Sequence, residues 1–149
     1  MYERILVPLD GSERAEAILP HVEAIAHQFG SELILLQIFE PMAALVTPYD
    51  MFPYYDEEES ERRQGEVAAY LDSLAQQLNE RGIAARSLVL PGPIVNAILE
   101  GADQEDASLI AMASHGRTGL ARVFYGSVTS GVLNQADRPL LIIRSSGHG

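Results

Sequence analysis

The strongest constraint on this chain is a repeated pairing. A short unbroken apolar run is followed each time by a stretch with helical spacing. The runs are RILVPL, SELILLQIF, ARSLVL, ASLIAMAS and RPLLIIRSS. None alternates apolar with polar residues, so none can lie with one face in water; each reads as a parallel strand covered on both faces. Strands separated by helices give a parallel sheet with right-handed crossovers and helices on both sides. Ligands of such sheets bind at the carboxyl ends of strands, where the strand order reverses. Here those ends are PLD, QIFEP and ASHG.

The intervening segments set the helices. Ala17, Ile18, Val22, Ile25, Ala26 and Phe29 share one face of a first helix that Gly30 ends and Pro20 kinks. Glu40 to Tyr55 breaks the rhythm with three prolines and four aromatic residues, and reads as a long loop, either a lid or a connector. DEEESERR opens a long helix to about Arg81, its acids favoured by the helix dipole and solvated. Pro93 is placed at the first position of the next helix, with Ile94, Val95, Ile98 and Leu99 inward. GSVTSGVLNQA forms the last helix, with Val128, Val132 and Leu133 on one face. The pattern shows no internal repeat, and one domain over residues 1–149 is expected.

Charge narrows the chemistry. The formal net charge is −11 and all ten basic residues are arginine. Walker-type and Schiff-base lysine chemistry is thereby excluded, and an acidic balance argues against duplex DNA as a partner. The absence of cysteine excludes disulfide and thiolate chemistry. No run reaches membrane-spanning length and MYERILVPLD lacks a signal-peptide layout, so a cytoplasmic location with no membrane partner is expected. Any bound phosphate must be held by backbone N–H groups, a helix N-terminus, a few arginines or a metal ion.

MASHGRTGLARVFYGSVTSG lies between a buried run and a helix. Gly116 and Gly119 open backbone conformations closed to other residues, Gly126 permits close approach, and Ser127 heads a helix whose free N–H groups attract anions. His115 is expected to be exposed. Arg117 and Arg122 pair either with phosphate or with acidic neighbours. His21 and His27 have no partner at metal-ligand spacing.

Over nearly its full length the chain resembles the universal stress protein family. The resemblance is carried by ILVPLDGS, LILLQIFEP, MASHGRTGLARVFYGSVTSGVL and RPLLIIR. It implies an open five-stranded parallel sheet of order 3-2-1-4-5, Rossmann-like and similar to the adenine nucleotide alpha hydrolases. It also implies a homodimer, often through the last strand (here Pro139 to Arg144), and a role in stress tolerance. The nucleotide-binding branch carries Gly-x-x-Gly, nine residues, then Gly-Ser or Gly-Thr. Gly116, Gly126 and Ser127 match, and Ala113 replaces the first glycine. An extended backbone would tolerate that alanine; a backbone that makes room for the ribose would not.

The resemblance further implies ATP or another adenine nucleotide, with Mg²⁺. Pro8, Leu9 and Asp10 would lie near the adenosine, and Ile38 would offer its backbone to the adenine. Ala113, Ser114, His115, Gly116, Arg117, Thr118 and Gly119 would wrap ribose and phosphates, and Gly126, Ser127, Val128 and Thr129 would contact the phosphates. Asp10 beside a polyphosphate costs about 4 kcal/mol at 4 Å and an effective dielectric near 20. It is therefore expected to accept a ribose hydroxyl or to place Mg²⁺ through water; alternatively Asp10 or Ser12 caps the first helix.

There is no G-x-S-x-G elbow and no H-E-x-x-H, so no catalytic residues are assigned and hydrolysis would at most be slow. The leading expectation is a nucleotide-binding sensor. The alternative is a dimer of the same family that acts without nucleotide. A flavin electron carrier fits less well, since only Phe124 and Tyr125 supply aromatics beside the glycine loop.

Overall fold

A computed structural model describes residues 1–40, 57–115 and 126–145. One parallel sheet runs in the order β3-β2-β1-β4-β5. Its strands are β1 (Arg4–Leu9), β2 (Glu32–Phe39), β3 (Ala84–Pro91), β4 (Leu109–His115) and β5 (Leu140–Ser145). Helices α1 (Glu13–Glu16), α2 (Leu19–Phe29) and α3 (Glu57–Glu80) cover one face, while α4 (Ile94–Gln104) and α5 (Ser127–Gln135) cover the other. Strand order and layering are those expected above.

The unbroken apolar runs are explained by this double cover. Leu33 and Leu35 pack towards α1–α3, and Ile34 and Leu36 towards α4 and α5; all four are fully buried. Ile5 and Val7 divide from Leu6 in the same way on β1.

The helices correct several expectations. The first helix is two helices. Ala17 and Ile18 form a turn, and Pro20 sits in the opening turn of α2, where a missing N–H forfeits no helical bond. Pro20 thus separates helices instead of kinking one. Ile18, Val22 and Ala26 are buried, but Phe29 is 47 % exposed and meets the ring of Tyr2 edge-on at 5.4 Å between centroids. Pro93 caps α4 from outside, and Ile98 is buried with Ala97, Gly101 and Ala102, while Ile94, Val95 and Leu99 are half-buried. Leu133 is 45 % exposed, so α5 anchors through Val132 and the half-buried Val128. The loop expected at Glu40 to Tyr55 lies, beyond Glu40, outside the described residues.

Ion pairs gather at the amino end of the sheet. Arg86 pairs with Glu105 at 2.5 Å and with Glu32 at 3.4 Å, and Glu32 also meets Arg4 at 3.8 Å. Arg138 donates from Nη1 to the carbonyls of Ala102 and Ala107, each at 2.8 Å, and pairs with Asp103. These contacts tie the end of α4 to the entry of β5.

Candidate nucleotide site at the carboxyl end of the sheet

β1 is the central strand and the strand order reverses beside it. On one side it pairs with β2 along its whole length, to Leu9↔Gln37. On the other it pairs with β4 only at Ile5↔Leu109 and Leu6↔Ile110. β4 continues to His115, so the paired ladder between β1 and β4 ends at Leu6 and Ile110. Pro8, with no N–H to contribute, lies two residues past the last pair. The carboxyl ends of β1 and β4 thus flank the reversal of strand order, where open α/β sheets receive ligands.

Asp10 and Gly11 follow β1 directly. Ser12 donates to Asp10 Oδ1 from its backbone N–H at 2.9 Å and from Oγ at 2.5 Å. Ser12 Oγ in turn accepts the Ala15 N–H at 3.2 Å and caps α1. Of the two residues expected as the cap, Ser12 is the cap, and Asp10 orients it. Gly11 has φ +86, a conformation that side chains disfavour.

Ala113 lies within β4, paired with Ile143, and it is absent from the residues with positive φ. It is 6 % exposed and its methyl belongs to the core beneath α1 and α3, with Ala15 and Ile143. An alanine is thus compatible with the backbone where the glycine motif begins. Ser114 is buried beside it, and His115 ends the strand opposite Ser145. Gly116, Arg117, Thr118 and Gly119 lie outside the described residues, as do Arg122, Phe124 and Tyr125.

Gly126 caps α5 with φ +74 and ψ +154, a pairing open to glycine alone. Its carbonyl accepts the Ser130 N–H at 3.0 Å, and among the described residues no side chain caps the helix. The N–H groups of the first turn, at Ser127, Val128 and Thr129, thus lack an intrahelical acceptor. Thr129 is buried and Ser127 exposed.

Ile38 lines a cleft of about 470 Å³ at the ends of β1 and β2. Gln37 and Phe39 form its floor with Gly11, and α3 walls it with Arg63, Val67 and Tyr70. The Tyr70 hydroxyl donates to Glu16 Oε2 at 2.9 Å. Burial, then that bond, then the charges of Glu16 and Asp10 hold the phenol above its usual pKa. Gln37 and Arg63 escaped the sequence reading. The signal for Gln37 was a lone amide inside LILLQIF. Arg63 was hidden in a run read as solvated, yet it lies one turn before Val67 and two before Leu71, on the inward stripe of α3.

Among the described residues no group of three His, Asp or Glu side chains could hold a metal ion, and no helix is long and apolar enough to cross a membrane. The chain resembles MJ0577 of Methanocaldococcus jannaschii, with 27 % identity over 97 % of this chain and 96 % of that protein. It also resembles Sll1388 of Synechocystis sp., with 31 % identity over 96 % and 98 %; both bear the name universal stress protein. The solved structure of MJ0577 superposes with a TM-score of 0.77 at 27 % identity, covering 99 % of each chain. A universal stress protein solved in complex with cAMP shares the fold, with a TM-score of 0.71 at 21 % identity over 97 % and 98 %. The model of the universal stress protein family matches residues 1–144. With sheet order, full-length relatives and this match in agreement, the chain belongs to the universal stress protein family.

Proposed function

We propose that this universal stress protein binds an adenine nucleotide at the carboxyl end of its sheet and works as a nucleotide-responsive module in stress tolerance, with ATP as its ligand. The observation that carries this reading is the early end of the β1–β4 ladder at Leu6↔Ile110, with a glycine-started helix, α5, on the same side. A triphosphate is then met by the N–H groups of the first turn of α5, which have no intrahelical acceptor, and by the positive end of its dipole. No lysine is needed. The cleft at Ile38 has room for the adenosine, and the cAMP complex of a same-fold protein makes an adenine nucleotide the first ligand to try. Mg²⁺ would ride on the phosphates, with Asp10 reaching it through water, since Asp10 Oδ1 already holds Ser12.

Two tests bear on this. Acid-precipitated protein is expected to release adenine nucleotide into the supernatant. Calorimetric titration with MgATP is expected to give micromolar affinity, about −8 kcal/mol, abolished in Gly116→Val and Gly126→Val. Unchanged affinity in both variants would place the site elsewhere.

A second reading concerns self-association. Among the described residues β5 has β4 as its only sheet neighbour, and Leu140 to Ile143 are four successive apolar residues of which none is fully buried. The opposite edge strand, β3, is bonded by side chains of α3. An apolar edge left uncovered invites pairing, so β5 is the edge through which a homodimer would form. Sedimentation of the native protein and of Ile142→Glu tests this; a native monomer refutes it.

A further inference from the structure

Helix α1 is four residues long, too short to hold its own shape in water. What fixes it lies beneath it and at its two ends. Beneath it, Ala15 is buried in the core that also takes Ala113. At its start, Ser12 caps it and sends two hydrogen bonds to Asp10 Oδ1. At its end, the half-buried Glu16 accepts the hydroxyl of Tyr70 from α3 at 2.9 Å. A hydroxyl donated to a carboxylate belongs to the stronger class of hydrogen bond. Among the described residues no other side chain bonds to a side chain of α1. The N–H of Glu16 donates in turn to the Ser12 carbonyl at 3.2 Å. One unbroken run of bonds thus leads from Tyr70 through Glu16 and Ser12 to Asp10. The charges of Glu16 and Asp10 both act on the phenol, which places the three groups in one neighbourhood.

Asp10 needs such support. It is exposed, and it is followed by Gly11, whose backbone no side chain restrains. Two donors meeting one oxygen fix the direction in which the carboxylate faces. That direction depends on where Ser12 stands, and Ser12 stands where α1 is held. We propose that Tyr70 is a positioning residue for the nucleotide site: its bond to Glu16 latches α1 to α3 and so keeps Asp10 aimed at the ligand. This rests on the nucleotide reading above. Tyr70 also lines the cleft beside Gly11, but its hydroxyl is committed to Glu16, so it acts through α1 and not by touching the nucleotide.

Calorimetric titration with MgATP separates these routes. Tyr70→Phe should bind roughly five- to tenfold more weakly than the native chain, and Glu16→Ala should lose as much. Glu16→Gln keeps an acceptor for the phenol and should stay within about twofold of the native chain. In an Asp10→Ala background, Tyr70→Phe should cost nothing further, since nothing is left to aim. A second readout needs no ligand: hydrogen exchange at the Ser12 and Ala15 amides should quicken in Tyr70→Phe, while amides at the centre of β1 keep the native rate. Native affinity in Tyr70→Phe would overturn the latch. So would a loss in Tyr70→Phe that Glu16→Ala does not share, or one that persists undiminished with Asp10→Ala, since either makes the phenol a direct contact or a general prop. Unchanged exchange at Ser12 and Ala15 would overturn it as well. A native chain that binds no nucleotide, with exchange quickened as expected, would defeat the nucleotide reading and the role of the latch in it.

Discussion

Asn79 on α3 grips the backbone of Ala85 on β3 at both polar groups: its Nδ2 donates to the Ala85 carbonyl at 3.2 Å, and its Oδ1 accepts the Ala85 N–H at 2.9 Å. β3 is an edge strand, and Ala85 would present those two groups to any strand added outside it. The carboxamide stands in for that strand. Asn79→Leu should therefore lower stability by roughly 1–3 kcal/mol and raise the tendency to self-associate. Urea denaturation and light scattering measure the two effects; a variant as stable and as monodisperse as the native chain would show that the grip is incidental.

Ala113 yields a prediction opposite to the one its motif invites. Its methyl is buried in the core and its backbone is extended. Restoring the family's glycine should leave nucleotide affinity within about twofold while costing about 1–2 kcal/mol of stability, from the lost methyl and the freer backbone. A sharp rise in MgATP affinity for Ala113→Gly would mean that the methyl obstructs the ligand after all.

Arg138 should be a strong point of the fold. It satisfies the carbonyls of Ala102 and Ala107 and pairs with Asp103, and its side chain is largely buried. Arg138→Met keeps the aliphatic bulk but takes this donor from the Ala107 carbonyl, while the Ala102 carbonyl keeps the Ala107 N–H at 2.9 Å. A loss of about 1–3 kcal/mol is expected, read as a lower urea midpoint with unchanged slope. Arg138→Lys should recover only part of it, since one ammonium cannot reproduce the fork.

Tyr70 predicts a pH effect of definite sign. Its pKa is raised in the fold, by burial first and by Glu16 next. The folded chain thus keeps a proton that the unfolded chain releases near pH 10. Stability is fully present below that pH and falls as pH rises towards the folded value. Tyr70→Phe should be less stable near neutrality, by the bond lost to Glu16, but should decline less steeply above about pH 10. Parallel slopes for the two proteins in that range would rule the assignment out.

How much of this was legible in the sequence follows from what each signal depends on. The strands were clear because burial on both faces removes every polar alternation, as Leu33 to Leu36 show. The break at Ala17 and Ile18 was less so. A proline such as Pro20 marks a discontinuity, but sequence spacing alone does not distinguish a kink from a new helix start. Phe29 and Leu133 were misplaced inward because periodicity assigns a face without knowing where the neighbouring layer ends. Asp10 and Ser12 were rightly tied to the first helix cap, and the geometry then divided their roles. Gln37 and Arg63 could not be paired from sequence, since only the packing of α3 over the end of β2 brings them to one cleft.

The ion pairs of Arg4, Glu32, Arg86, Glu105 and Arg138 all lie where the strands begin, and the candidate binding groups all lie where the strands finish. This amounts to a division of labour along the strand axis. Substitutions that retune recognition at one pole leave the fastenings at the other untouched, so ligand preference can drift without the scaffold having to be refastened each time.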